Sequence, residues 1–240
     1  MHQLALGIKL RDSSRFSTYF AGSNLATVDT LRKLCPHRHA PVIWLCGNPG
    51  TGKTHLLQAI CAAAGERQET AAFFHLQQLQ SIGPDLLEGC GELSWVCLDD
   101  FDEVAALPLW QRAVFSLYCE LEQFGGRLLI GARCVPTALK IELRDLASRL
   151  NASVLCRLHS LNDEEQAHAL QLRAAQRGMD LPEETATYLQ RRVPRNLAWL
   201  CDFLDALDEA SLSAQRRLTI PFVRDVLRLR GLGADESEKA

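Results

Sequence analysis

Two stretches of this 240-residue chain carry residue types that could handle phosphate. The first is Gly47-Asn48-Pro49-Gly50-Thr51-Gly52-Lys53-Thr54, which fits the spacing G-x-x-x-x-G-K-[ST]. Its glycines permit a tight turn that brings backbone N–H groups onto phosphate oxygens. Lys53 supplies a cation for the β- and γ-phosphates and Thr54 a hydroxyl for Mg²⁺, while His55 opens a helix whose N-terminus adds partial positive charge. The second stretch is Ser94 to Asp100, an apolar run closed by two adjacent carboxylates. Asp99 suits the shell of a Mg²⁺ ion, and Asp100 suits orienting or deprotonating an attacking water. A glycine-rich turn that binds nothing competes with the first reading, and apolar runs ending in two acids are common in isolation. Their occurrence together, in the right flanking context, favours the nucleotide.

That context comes from the elements on either side. Val42-Ile43-Trp44-Leu45-Cys46 reads as a buried strand leading into the loop, and the helix after it runs to about Ala64. Further strands are expected at Ala71–Leu76, Ser94–Asp100, Arg127–Gly131 and Val154–Leu158. Helices are expected at Leu25–Leu34, at Leu109–Phe124 with a stop at Gly125-Gly126, and at Leu143–Leu150. Asn24 reads as the N-cap of the first of these. Strands alternating with helices predict an α/β fold with a parallel sheet covered on both faces, its ligands at the carboxyl ends of the strands. Asp102 and Glu103 are expected to cap the next segment or face water. Arg133, just past a strand, stands where a further nucleotide-sensing residue could sit. The aromatic segment Phe16-Ser17-Thr18-Tyr19-Phe20 either covers an adenine ring, with Phe20 against the base, or packs in the core.

From Asn162 onward the strands cease. Asn162 is an expected N-cap, with acids in the turn after it, and helices are expected at about 163–177, 182–192, 195–209 and 220–230. Pro182 and Pro221 fall at helix starts, where proline is tolerated. The domain boundaries so drawn are an N-terminal segment 1–12, an α/β nucleotide-binding domain 13–160, a small all-helical lid 161–231 and a disordered tail 232–240. Arg216, Arg217, Arg224, Arg228 and Arg230 read first as a solvated basic face and second as a nucleic-acid contact.

Composition narrows the classes. An apolar fraction of 47% is enough for a buried core, and a formal net charge of -3 argues against a dedicated duplex-DNA binder. Nine cysteines, an odd number with no C-x-x-C pair, fit reduced thiols rather than a disulfide framework or a zinc site. His37 and His39 lie in a polar loop with no further ligand candidate nearby. No apolar run approaches the roughly 18 residues of a membrane span, so the expectation is a cytoplasmic protein with no membrane partner.

An α/β nucleotide domain followed by a helical lid resembles the AAA+ ATPases. The aromatic segment ending Gly22-Ser23-Asn24, the loop Gly47–Thr54, Leu98-Asp99-Asp100 and Asp145-Leu146-Ala147-Ser148-Arg149-Leu150 resemble the DnaA/Hda branch of that family. Gln3-Leu4-Ala5-Leu6 and Ala214–Val223 point to its short, regulatory members, as does the want of a DnaA-type DNA-binding domain after residue 230. The resemblance implies bound ADP or ATP with Mg²⁺, and a negative regulator of replication initiation. Such a protein docks on the DNA-loaded sliding clamp through a QL-type motif, here Gln3, Leu4 and Leu6, and so meets DNA indirectly. It stimulates hydrolysis of DnaA-bound ATP through an arginine finger supplied in trans, here Arg149. On spacing alone, Gln3 to Leu6 would read as an edge strand; the resemblance favours docking. Two departures stand out. The family's sensor residue, often aspartate in a Gly-Asp-Arg run, is replaced in Gly131-Ala132-Arg133, and the lid's sensing arginine falls at Ala198, so that either Arg195 one turn earlier substitutes or the second sensor is missing. Both weigh against self-contained turnover. The alternatives are an autonomous AAA+ ATPase of helicase-loader type and, less favoured, a small-molecule kinase. A homo-oligomer is left open.

Overall fold

The computed structural model of the protein describes residues 14–34, 42–192, 197–214 and 218–230. The chain divides into two compact units, which meet in sequence between Ser160 and Leu161. The first contains α1 (Leu25–Leu34), β1 (Ile43–Cys46), α2 (Lys53–Glu66), β2 (Ala71–His75), α3 (Leu76–Leu79), β3 (Trp95–Asp99), α4 (Pro108–Phe124), β4 (Arg127–Ala132), α5 (Arg144–Asn151) and β5 (Val154–Arg157). Their strands form one parallel five-stranded sheet in the order β2-β3-β4-β1-β5.

The long apolar runs have a physical cause: the inner strands β1, β3 and β4 are buried on both faces and so are apolar along most of their length. Side chains alternate between the faces. The core is split accordingly: Trp44, Val96, Leu98, Leu128 and Ile130 join Phe101, Trp110, Val114 and Leu117 on one side, where α4 lies. Ile43, Leu45, Trp95, Cys97 and Leu129 join Val28, Leu31, Leu56, Leu57 and Ile60 of α1 and α2 on the other. The helix α4 stops where Gly125 takes a left-handed conformation (φ 75°), as the Gly125-Gly126 pair predicts.

Two expectations change. β2 ends at His75, and Leu76 belongs to the short α3 instead of the strand. Asn24 is not an N-cap: a 3-10 turn, Gly22–Asn24, runs straight into α1. The buried Asn24 side chain donates to the His159 carbonyl (2.9 Å) and accepts from its N–H (2.7 Å). A short amide side chain beside a helix start can cap or bridge; here the chain after β5 offers both a donor and an acceptor, and bridging wins.

The second unit holds α6 (Asp163–Gln176), α7 (Glu183–Arg192), α8 (Leu197–Ala214) and α9 (Ile220–Leu229). Asn162 caps α6 in a reciprocal box with Glu165, at 2.8 and 3.0 Å. The helices close over Leu170, Ala186, Leu189, Leu204, Leu207 and Val223, and the hydroxyl of the buried Thr185 donates to Leu218 (3.2 Å). α9 buries Phe222, Val223, Val226 and Leu227 and turns Arg224 and Arg228 outward, which matches the solvated-face reading for those two. Among the described residues no helix is long and apolar enough to cross a membrane.

Candidate nucleotide-binding site

β1 lies between β4 and β5, not beside the strand that follows it in sequence. The loop after β1 therefore opens at a switch point of the topology, where ligands bind in open α/β sheets. Backbone packing makes the glycines of this loop necessary. A Cβ on Gly47 would stand 2.7 Å from the Leu158 carbonyl oxygen and 2.9 Å from Thr51 Oγ1. Gly52 adopts φ +88°, a left-handed conformation that side chains resist, and its Cβ would stand 2.6 Å from Tyr19 Cε2. Helix α2 begins directly after it. Its first intrahelical bond from this end is Leu56 N–H to Gly52 O (3.0 Å), so the amides of Lys53, Thr54 and His55 precede that bond at the positive end of the helix.

Lys53 is buried, 6% exposed, and its Nζ donates to the carbonyls of Gly47 (2.8 Å) and Asn48 (3.3 Å). Burial lowers its pKa below the usual lysine range, against the pull of Asp99, Asp100 and Asp102, which favour the ammonium. The Thr54 hydroxyl donates to Asp99 Oδ2 (2.5 Å), which joins the phosphate loop to the end of β3. Asp99 is fully buried, and its other oxygen has no hydrogen-bond partner. Burial pushes its pKa up; the Thr54 bond opposes the shift and the neighbouring Asp100 adds to it. An orphaned buried carboxylate oxygen beside a lysine and a threonine hydroxyl fits a divalent ion with phosphates, whose charge and ligand demand would satisfy it. Asp100 follows in a left-handed conformation (φ 53°), tolerated by aspartate, with its Oδ2 3.4 Å from His75 Nδ1.

Beside Phe20, which the sequence singles out, Tyr19 reaches the loop. Its hydroxyl donates to the Thr51 carbonyl (2.9 Å) and its ring packs on His55, centroids 5.5 Å apart. Phe20 is half-buried next to it. The ring of His55 faces the segment before α1: Nε2 meets the Arg15 carbonyl at 2.9 Å and the Thr18 hydroxyl at 3.3 Å. Only the backbone of His55 is left to face a phosphate.

Asp102 and Glu103 neither cap nor simply face water. Both pair with Arg133, whose backbone N–H also donates to Asp102 Oδ1 (3.0 Å). β4 ends in the buried Ala132, beside Cys46. Arg149 is exposed on α5; its guanidinium lies over the Tyr118 ring, 5.5 Å from the centroid, and not against Asp145 or Glu142. Gln3, Leu4, Leu6, Arg195 and the loop with His37 and His39 lie outside the described residues.

The fold has known counterparts. Domain III of the replication initiation protein DnaA from Thermotoga maritima superposes with a TM-score of 0.76 at 18% identity, covering 90% of this chain and 96% of that one. AMPPCP-bound DnaA from Aquifex aeolicus gives 0.71 at 16% identity, over 93% of this chain and 71% of that one. A Thermotoga maritima RuvB variant gives 0.64 at 15% identity, over 92% and 76%. At these identities the likeness is one of fold. The helical unit is more specific: residues 163–227 match the family described as Hda, lid domain. The chain thus shares the fold of DnaA domain III, and its helical unit resembles an Hda lid. Within this fold the loop Gly47–Thr54 and Asp99 at the end of β3 are joined through the Thr54–Asp99 bond. Tyr19 and His75 are the residues that sequence reasoning missed. His75 could have been found from its place at the carboxyl end of β2, in register with Asp99. Tyr19 could have been found from the polar tip that distinguishes it from Phe20.

Proposed function

We propose that this chain is a nucleotide-dependent negative regulator of a DnaA-type initiator. It holds ADP or ATP through Gly47–Thr54, with Thr54, Asp99 and Asp100 toward Mg²⁺ and Arg195 of the lid toward the nucleotide. It docks on the DNA-loaded sliding clamp through Gln3, Leu4 and Leu6, and it presents Arg149 in trans to ATP held by DnaA. A bound Mg²⁺ would supply charge neutralisation at the phosphates. The observation that carries the reading is the state of Arg149. It is exposed, steadied over Tyr118, and paired with no carboxylate among the described residues. Its charge is thus available to an anion on another molecule. The match of residues 163–227 to an Hda lid supports the same reading. Its own turnover is expected to be weak, since β4 ends in Ala132 and the adjacent Arg133 is tied to Asp102 and Glu103.

The second reading, an autonomous ATPase of helicase-loader type, has Lys53, Thr54 and Asp99 in its favour. One experiment separates the two. ATP conversion is followed with this chain alone, with DnaA, and with DnaA plus clamp-loaded DNA. Conversion that requires all components supports the regulator. Equal turnover by the chain alone supports the ATPase.

A further inference from the structure

The carboxyl ends of β2 and β3 lie side by side, with His75 in register with Asp99. One ligand atom each from His75, Asp99 and Asp100 lies within 4.8 Å of the other two. Nδ1 of His75 is 3.4 Å from Oδ2 of Asp100, yet that nitrogen is buried and without a hydrogen-bond partner, as is Oδ1 of the fully buried Asp99. Buried polar atoms left unpaired are costly, and native proteins rarely keep two of them in one cluster without a purpose. A divalent ion held among the three side chains would pair with the His75 nitrogen and with the Asp99 carboxylate. The spacing also suits one ion: ligands about 2.1 Å from a tetrahedral centre stand about 3.4 Å apart.

We propose that His75, Asp99 and Asp100 form a divalent-cation site with one nitrogen and two carboxylate ligands, one that takes first-row transition ions such as Mn²⁺, Co²⁺ or Zn²⁺ in preference to Mg²⁺. The imidazole decides the selectivity. Mg²⁺ is a hard ion that prefers oxygen ligands and retains its waters, whereas imidazole nitrogen suits the later first-row ions. The site rests on the nucleotide reading only in sharing Asp99 and Asp100; it requires no nucleotide.

The test uses the full chain, freed of nucleotide and treated with chelator, titrated with Mn²⁺ and followed by electron paramagnetic resonance. One Mn²⁺ should bind per chain, and pulsed spectra should show the ¹⁴N coupling of a ligating imidazole. His75→Gln should lose that coupling and bind Mn²⁺ about tenfold or more weakly, the loss that even an outer-shell partner's removal causes. Equimolar Mg²⁺ should not displace the ion from the parent chain. No stoichiometric Mn²⁺, bound Mn²⁺ without nitrogen coupling, or a coupling that survives in His75→Gln would overturn the proposal. Titrating the same preparations with ADP in Mg²⁺ separates the two readings. ADP binding without the nitrogen signal overturns this site alone, and the nitrogen signal without ADP binding overturns the nucleotide reading alone.

Discussion

Replacing Gly52 by alanine should expose how far Tyr19 braces the phosphate loop, because the cost has two parts that a second substitution separates. The first part is backbone. Gly52 sits at φ +88°, ψ 23°, and a side chain in the left-handed region costs about 1–2 kcal/mol. The second part is steric. The new Cβ would stand 2.6 Å from Tyr19 Cε2, and Tyr19 is held by its bond to Thr51 and its packing on His55. Overpacking of this kind costs about 1–3 kcal/mol. Gly52→Ala should therefore lose about 2–5 kcal/mol in the parent chain. In a Tyr19→Ala background it should lose only the backbone share, about 1–2 kcal/mol. The double variant should thus be about 1–3 kcal/mol more stable than the sum of the singles. Urea unfolding followed by tryptophan fluorescence reads this in the right unit, since the buried Trp44, Trp95 and Trp110 all lie in it. Additivity within about 0.5 kcal/mol would refute the bracing contact.

Asp99→Asn, in chelator at pH 7, should raise stability by about 1–2 kcal/mol, the usual size when a strained functional group is relieved, or about 2–8 °C in melting temperature. Burial raises the folded-state pKa of Asp99 above its unfolded value, so the carboxylate is a burden at pH above that folded value, and protonation lifts it as the pH falls. The advantage of Asn should accordingly shrink on acidification; an advantage that grows instead would contradict the cause given for the shift. Lys53→Ala should abolish ADP protection: at 100 times Kd the parent gains about 2.7 kcal/mol, about 5–10 °C, and an equal gain in the variant would clear the loop of this role. Gly131→Ala would set a Cβ 2.8 Å from both Asp99 Oδ1 and Leu57 Cδ1; a loss of about 1–3 kcal/mol is expected by urea unfolding, and an unchanged midpoint would mean that this strand end yields.

Much of the α/β unit could be read from the sequence because a parallel sheet demands unbroken apolar strands and glycine stops. Ile43–Cys46 and Gly125 are cases in point. The phosphate loop was legible for a similar reason: its chemistry fixes both residue types and their spacing. What escaped were contacts made across long sequence separations. Nothing local distinguishes an Asn24 that caps from one that bridges to His159, 135 residues away. Likewise, Asp102 and Glu103 look like any exposed acids until β4 delivers Arg133 beside them. Tyr19 and Phe20 are interchangeable as apolar bulk, and only the fold decides which ring meets Gly52.

Arg149 bears the greatest weight and admits a direct test. Its contact with Tyr118 is an exposed cation–π pair worth about 0.5–1 kcal/mol, so Arg149→Ala should melt within about 4 °C of the parent and still bind ADP. In a single-turnover assay of DnaA-bound ATP with clamp-loaded DNA, it should lose nearly all stimulation, since an arginine finger is worth about 10³–10⁵ in rate. Arg149→Lys should fail as well, because an ammonium lacks the planar fork that spans two phosphate oxygens. Conversion by Arg149→Ala at close to the parental rate would contradict the proposed role and leave this chain, at most, a tether.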